Sequence, residues 1–115
     1  MRYDSHGTAR VTAAEAHRLL RDAGAVLIDV RETDEFRAGH VPGARHVPLS
    51  RIATADLPGT GPLVLICRSG TRSQRAAALL AARGVAAVDV RGGMRDWAAR
   101  GLPVEGVRGS AGVVI

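Results

Sequence analysis

The residues best suited to chemistry lie in one short run from Cys67 to Ser73, with the sequence Cys-Arg-Ser-Gly-Thr-Arg-Ser. An apolar stretch precedes this run and an Ala/Leu-rich stretch follows it, so we predict a tight loop that connects a strand to a helix. Such a loop points backbone N–H groups inward, and the following helix adds the positive end of its dipole. The loop is therefore expected to bind an anion at its centre.

A thiol in this loop should ionise readily, because the backbone donors and the guanidinium groups of Arg68 and Arg72 stabilise negative charge. The thiolate is the nucleophilic form of cysteine, which makes Cys67 the candidate catalytic residue. Gly70 suits a position where the backbone approaches the anion or adopts a positive φ. Three hydroxyl side chains of the loop can donate to an anion or cap the helix: Ser69, Thr71 and Ser73.

A lone cysteine at the end of a strand can also be a small buried apolar side chain without a chemical role. Two arginines and three hydroxyl residues occupy the six positions after Cys67. A buried structural cysteine does not require such neighbours, so the sequence favours the reactive thiol.

The hydrophobic pattern predicts the elements that hold this loop. Continuous apolar runs predict buried strands at 25–30, 62–67 and 85–90. A capping box at Thr12 and Glu15 begins the first helix, and Ser50 is predicted to cap a short helix that ends before Pro58. The other helices are predicted over 13–23, 33–38, 74–83 and 94–100. Strands that alternate with helices indicate an α/β fold whose ligands bind at the carboxyl ends of parallel strands, which is where Cys67 lies.

Composition limits the function classes. The chain has 115 residues, of which 46% are hydrophobic and 23% charged, and this balance indicates one folded domain. No apolar run approaches the roughly 18–20 residues of a membrane span, and the first ten residues lack the apolar stretch of a signal peptide. We therefore expect a cytoplasmic protein without a membrane partner.

Cysteine and arginine usage adds further exclusions. A single cysteine excludes an intrachain disulfide and a thiolate-based zinc site, so no metal or cofactor is expected. All sixteen basic residues are arginine. Residues 1–58 contain eight arginines and eight acidic residues, whereas residues 59–115, which include Cys67, contain eight arginines and three acidic residues. Three aromatic residues and the lack of a basic run argue against a nucleic-acid partner.

Further segments match a known pattern in order and spacing: Leu27 to Arg31, Glu35-Phe36, Gly39 to Ala44, Gly92-Gly93 with Trp97, and Gly101 to Pro103. With the Cys67 loop, they make the chain resemble a single-domain member of the rhodanese-like family. The resemblance covers residues 8–105 and leaves 1–7 and 106–115 as short terminal extensions. It implies a parallel five-stranded sheet with helices on both faces.

The resemblance also implies sulfurtransferase activity. In this family the loop cysteine accepts sulfane sulfur as a persulfide and passes it to a nucleophile, with thiosulfate and cyanide as the usual laboratory donor and acceptor. The catalytic role falls on Cys67, and substrate binding falls on the residues that follow it: Arg68, Ser69, Gly70, Thr71, Arg72 and Ser73. The donor is then a small anion, and without a second cysteine the acceptor must be an external thiol, cyanide or a protein.

Two other functions remain open from the sequence. The chain could be a non-catalytic sulfur carrier or docking module of the same fold. It could also be a cysteine-dependent phosphatase or arsenate reductase, whose phosphate loop has five residues between cysteine and arginine. Here four residues separate Cys67 from Arg72, which gives a smaller ring and favours a single sulfur atom.

Charged residues near strand ends have two possible roles. Asp29 and Asp89 are the candidates for the general acid that phosphatase chemistry would need. Arg31 is expected to form a structural ion pair with Glu35 rather than to take part in catalysis.

Overall fold

The structure is a computed structural model that describes residues 2–3 and 8–115. These residues form six strands: β1 (Arg2–Tyr3), β2 (Ala9–Val11), β3 (Val26–Asp29), β4 (Arg45–His46), β5 (Leu63–Ile66) and β6 (Val88–Val90). They also form four α-helices: α1 (Ala13–Asp22), α2 (Thr33–Ala38), α3 (Thr71–Ala82) and α4 (Gly93–Ala99). Short 3-10 turns lie at Leu49–Arg51 and Val107–Gly109.

The six strands form one sheet in the order β1-β2-β6-β5-β3-β4. All but β1 run parallel, which confirms the five-stranded parallel sheet. β1 pairs antiparallel with β2 at the edge, within the segment 1–7 that was expected to be only an extension. Residue 1 and residues 4–7 of that segment lie outside the described residues.

Helices cover both faces of the sheet, as predicted. Side chains of β5 alternate between two apolar clusters, so that Val64 and Ile66 pack with α1 and α4. Leu65 and Cys67 pack on the opposite face with α3. The central strand is therefore buried on both sides, which explains its continuous apolar sequence.

The start of α1 shows how local sequence sets an element. The Glu15 N–H donates to Thr12 Oγ1 at 3.1 Å, and the Thr12 N–H donates to Glu15 Oε1 at 3.0 Å. Both bonds of the predicted capping box are present, and they begin the helix at Ala13.

Two predicted boundaries differ from the structure by more than one residue, and one predicted cap is wrong. α3 begins at Thr71 rather than Gln74, because Gly70 occupies the N-cap and the polar residues that follow form the first helical turn. β6 begins at Val88 rather than Val85. The predicted cap at Ser50 is wrong, since this residue lies inside a 3-10 turn that Pro48 precedes.

The segment after Glu105 is only partly regular. Glu105 forms isolated antiparallel bridges with His40 and with Ala111. The Val113 N–H donates to the carbonyl of Ala38 at 2.9 Å, so this segment packs along the end of α2. Among the described residues, no helix is long and apolar enough to cross a membrane.

Candidate active site

Cys67 lies directly after β5, at the carboxyl end of the sheet, with 1% of its surface exposed. Its Sγ accepts hydrogen bonds from the backbone N–H of Gly70 at 3.1 Å and of Ser73 at 3.3 Å. Both donors belong to the loop and first turn of α3, whose helix dipole is positive at this end. The sulfur therefore sits where backbone groups favour negative charge.

Gly70 allows the backbone to close around the sulfur. Its φ of +106° lies in the left-handed region, which favours glycine. A Cβ at this position would lie 2.9 Å from the Arg10 guanidinium and 3.2 Å from the Gly92 nitrogen. Conformation and close packing thus both require the residue that the sequence places here.

The beginning of α4 supports the loop from the other side. The Met94 N–H donates to the carbonyl of Cys67 at 2.7 Å, and the Arg95 N–H donates to the carbonyl of Arg68 at 3.0 Å. A Cβ on Gly93 would collide with the backbone of Cys67 and Arg68. The loop is therefore clamped between the first turns of two helices.

The hydroxyl of Ser73 connects the thiol to a buried charge. Ser73 Oγ accepts from the Cys67 S–H at 3.4 Å and donates to Asp89 Oδ2 at 2.8 Å. Arg10 Nε donates to Asp89 Oδ1 at 3.0 Å, and Arg10 Nη2 donates to Asp89 Oδ2 at 3.1 Å. Ser73 and Asp89 are fully buried, whereas Arg10 is 18% exposed, so this network runs from the interior beside the thiol towards the surface.

The second charged group near the thiol is the pair of Arg72 and Glu35. Arg72 donates two parallel hydrogen bonds to the Glu35 carboxylate, at 2.6 and 2.7 Å. These bonds lower the pKa of Glu35 from 4.5 to about 2. They also raise the pKa of Arg72 above its ordinary value, and the nearby Cys67 acts in the same direction.

Comparison with known proteins identifies the family of this chain. The family model of the rhodanese-like domain matches residues 12–100. The chain belongs to the rhodanese-like family.

Curated relatives and a solved structure agree with this assignment. The chain is 37% identical over 107 residues to a Pseudomonas putida protein named thiosulfate sulfurtransferase GlpE, and the match covers 89% of this chain and 94% of the relative. A protein of the same name from Pseudomonas savastanoi pv. phaseolicola is 41% identical over 100 residues, which cover 83% of this chain and 92% of the relative. A solved rhodanese-related protein from Thermoplasma volcanium aligns with a TM-score of 0.77 and 28% identity, covering 84% of this chain and 96% of that one.

Within this rhodanese-like fold, the predicted loop residues divide into two groups. Gly70 and Ser73 are buried and contact the sulfur, whereas Ser69 and Thr71 are exposed. Arg68 is partly exposed, and its Nε donates to the backbone oxygen of the last residue, Ile115, at 2.8 Å. Arg72 lies close to the thiol, but its guanidinium is occupied by a carboxylate.

The predicted ion pair of Arg31 with Glu35 is wrong. Arg31 instead donates to Asp29, with Nη2 2.7 Å from Oδ2, and both side chains are fully buried. Arg31 Nη2 also donates to the carbonyl of Gly39 at 2.7 Å. Arg31 therefore pairs with Asp29 at the end of β3, and Glu35 pairs with Arg72 instead.

Sequence reasoning missed how Arg10 and Asp89 act together in the rhodanese-like site. The two residues are directly opposite each other on neighbouring strands β2 and β6. One signal was available, because Asp89 interrupts an otherwise apolar strand and a charge there needs a partner. The identity of that partner depends on strand pairing between distant segments, which no local pattern shows.

Proposed function

We propose that this protein is a sulfurtransferase in which Cys67 carries sulfane sulfur as a persulfide. The observation that supports this most directly is the buried Sγ held by the backbone N–H groups of Gly70 and Ser73. The relatives named thiosulfate sulfurtransferase support the same reaction class. The proposed compartment is the cytoplasm, whose reducing conditions keep a lone thiol reduced.

The first half-reaction loads sulfur onto the protein. The Cys67 thiolate attacks the outer sulfur of an anionic donor such as thiosulfate. A new sulfur–sulfur bond forms, the sulfur–sulfur bond of the donor breaks, and sulfite leaves with the electron pair. The N–H groups that face Sγ, together with the positive charge of Arg68, stabilise the anions on both sides of this step.

The second half-reaction unloads the sulfur. A nucleophilic acceptor, which is an external thiol, cyanide or a protein, attacks the terminal sulfur of the persulfide. The persulfide bond breaks and its electron pair returns to Cys67 as the thiolate, so no external oxidant or reductant is needed. Two half-reactions that share one covalent intermediate produce ping-pong kinetics.

The domain that performs this reaction spans residues 8–105 in our proposal, which extends the matched range at both ends to include β2 and Glu105. β2 contributes Arg10 to the network beneath the loop. Glu105 pairs with His40 through both of their backbone groups. Residues 106–115 then form an extension that packs onto this domain.

The phosphatase alternative fits the site less well. An arginine of a phosphate loop binds the phosphoryl oxygens with a pair of parallel N–H groups. Here the loop is one residue shorter, and Arg72 donates both terminal nitrogens to Glu35. We therefore expect no hydrolysis of an aryl phosphate, measured under the conditions of the sulfur-transfer assay.

The deciding experiment is intact-mass analysis after incubation with thiosulfate. We expect the wild-type chain to gain one sulfur atom, and cyanide to remove it with release of thiocyanate. Cys67→Ser should show no gain, while Thr54→Ala, which alters an exposed side chain outside the loop, should load normally. An unchanged wild-type mass would reject the proposal, and loading without release to any acceptor would favour the carrier module.

A further inference from the structure

One buried carboxylate beside the thiol has no role in the sulfur transfer described above. Asp89 is fully buried, its Oδ2 lies 2.8 Å from Ser73 Oγ, and Ser73 Oγ lies 3.4 Å from Cys67 Sγ. The carboxylate is therefore within about 6 Å of the sulfur, where like charges repel strongly. Such a group hinders ionisation of Cys67 unless its neighbours offset it.

The hydroxyl of Ser73 has one proton and two acceptors within reach. In the structure it donates to Asp89 and accepts from the Cys67 thiol. This arrangement satisfies a neutral Cys67, whose S–H has an acceptor. An ionised Cys67 has no proton to donate, so its sulfur and the Asp89 carboxylate compete for the single hydroxyl proton of Ser73.

Arg10 can replace the Ser73 hydroxyl as a hydrogen-bond donor to Asp89. It donates to both carboxylate oxygens of Asp89, at 3.0 and 3.1 Å. It also donates to the carbonyl of Gly70 at 3.0 Å, which ties the guanidinium to the loop. Asp89 therefore keeps hydrogen-bond donors on both oxygens when Ser73 turns away, and does not become an unpaired buried charge.

We propose that Arg10 and Asp89 are positioning residues that act on Cys67 through Ser73. When Cys67 ionises and its proton passes to solvent, the Ser73 hydroxyl rotates from Asp89 to the sulfur and donates to the thiolate. Arg10 then satisfies the carboxylate. This inference rests on the proposed role of Cys67 as the nucleophile.

Other charged groups lie in the elements next to Cys67. Arg72 on α3 is the nearby cation, and it is paired with Glu35 from α2. Arg68 follows Cys67 directly in the loop. These three groups are unchanged in the variants below, so differences between variants report on the network of Ser73, Asp89 and Arg10.

The test is a pH titration of the ultraviolet absorbance of the thiolate, with Cys67→Ser as the baseline. The signal is specific because Cys67 is the only cysteine. Ser73→Ala should raise the midpoint by about one pH unit, because the thiolate loses a donor, and this is about a tenfold change in the ratio of thiolate to thiol. Asp89→Asn should lower the midpoint by about one unit, since the competing charge is removed. Asp22→Asn, which changes an exposed carboxylate at the far end of α1, should leave it unchanged.

The double variant Ser73→Ala/Asp89→Asn separates a relayed effect from a direct one. We expect at least about half of the Asp89→Asn shift to disappear when Ser73 is absent. If the full shift persists, the carboxylate acts through space and the proposal is overturned. An unchanged midpoint in Ser73→Ala also overturns it.

Arg10→Met provides an independent variant if Asp89→Asn does not fold. Asp89 then needs the Ser73 proton, so the midpoint should rise, and a midpoint that falls or does not move contradicts the proposal. The titration requires no sulfur donor. Loss of persulfide formation would therefore count against the proposed function, while an absent shift would count against this network alone.

Discussion

At the end of the sheet where the parallel strands have their carboxyl ends (the carboxyl edge), the protein buries polar and charged side chains. At the opposite end (the amino edge), apolar side chains surround an open depression. The buried polar residues of the described chain all lie beside the Cys67 loop or at the ends of the strands that flank it: Asp29, Arg31, Ser73 and Asp89. A depression of about 380 Å³ at the amino edge is lined mainly by apolar side chains: Pro62, Leu63, Ala81, Val85 and Ala87.

The difference between the edges indicates which residues serve chemistry and which serve folding. Among the described residues, no fully buried charged side chain lies at the amino edge, so these strands can begin without one. Moving a charged side chain from water into the protein costs several kcal/mol of hydration free energy, and pairing with an opposite charge often only offsets this cost. The buried charges at the carboxyl edge therefore do not make the fold more stable than apolar side chains would. The hydrogen bonds that join Asp89 to Cys67 through Ser73 tie one of these buried charges to the loop.

The largest expected effect comes from breaking the buried pair of Asp29 and Arg31. Asp29→Asn should reduce the free energy of unfolding by about 3 kcal/mol, because it leaves the fully buried guanidinium of Arg31 without its counter-ion. Asp22→Asn, which removes an exposed partner of Arg21 near the amino edge, should change it by less than about 0.5 kcal/mol. Urea unfolding of both variants measures the difference, and equal losses would show that the two edges do not differ in this respect.

A smaller effect is expected from two glycines with positive φ, one at each edge. Gly93→Ala should cost about 2–3 kcal/mol and slow sulfur loading, because the added Cβ collides with the backbone of Cys67. Gly84→Ala should cost only about 1 kcal/mol and leave loading unchanged, since nothing lies within 4 Å of the added Cβ. Thermal unfolding and the mass assay would test both, and normal loading by Gly93→Ala would show that the clamp by α4 is dispensable.

The pair of Arg72 and Glu35 predicts a pH-dependent contribution to stability. The pKa of Glu35 is lowered in the folded state to about 2, so the pair stabilises the fold above pH 4.5 and loses this effect as the pH falls towards 2. Glu35→Gln should therefore cost about 1–2 kcal/mol at neutral pH, a value reduced for partial exposure, and almost nothing near pH 2. Asp56→Asn, an exposed carboxylate near the amino edge, should cost little at any pH. A constant difference between wild type and Glu35→Gln across the titration would contradict this.

The smallest effect concerns donor binding. Arg68 is the loop arginine that is not paired with an aspartate or glutamate among the described residues, and only its Nε donates, to the backbone oxygen of Ile115, so we expect its terminal nitrogens to attract the anionic donor. Arg68→Gln should raise the KM for thiosulfate by about three- to tenfold with little change in kcat, which corresponds to the modest strength of an exposed charge. Arg21→Gln, an exposed charge near the amino edge, should leave KM unchanged. An unaltered KM in Arg68→Gln would assign donor binding to the backbone of the loop.

Local patterns predicted the elements that hold the site. The capping box at Thr12 and Glu15 and the apolar runs of β3 and β5 are short-range signals, and all three elements are present. The loop that begins at Cys67 could be predicted because glycine, hydroxyl and arginine residues follow a strand within six positions. β4 was missed because its two residues become a strand only through pairing with β3.

The charge pairs could not be predicted for the same physical reason. Arg72 and Glu35 are 37 residues apart, and Arg10 and Asp89 are 79 residues apart. Each residue has several oppositely charged candidates at similar distances along the chain. Strand order and helix packing select among them, which is why the expected partner of Arg31 was wrong.

The two outermost strands, β1 and β4, are each only two residues long. A long, flat border strand offers unpaired main-chain groups on which a neighbouring molecule can add its own strand, and this is a common route to aggregation. Borders this short offer very few such groups. We therefore expect little aggregation by edge-to-edge pairing of sheets, and the longest and most apolar strands lie in the interior of the sheet.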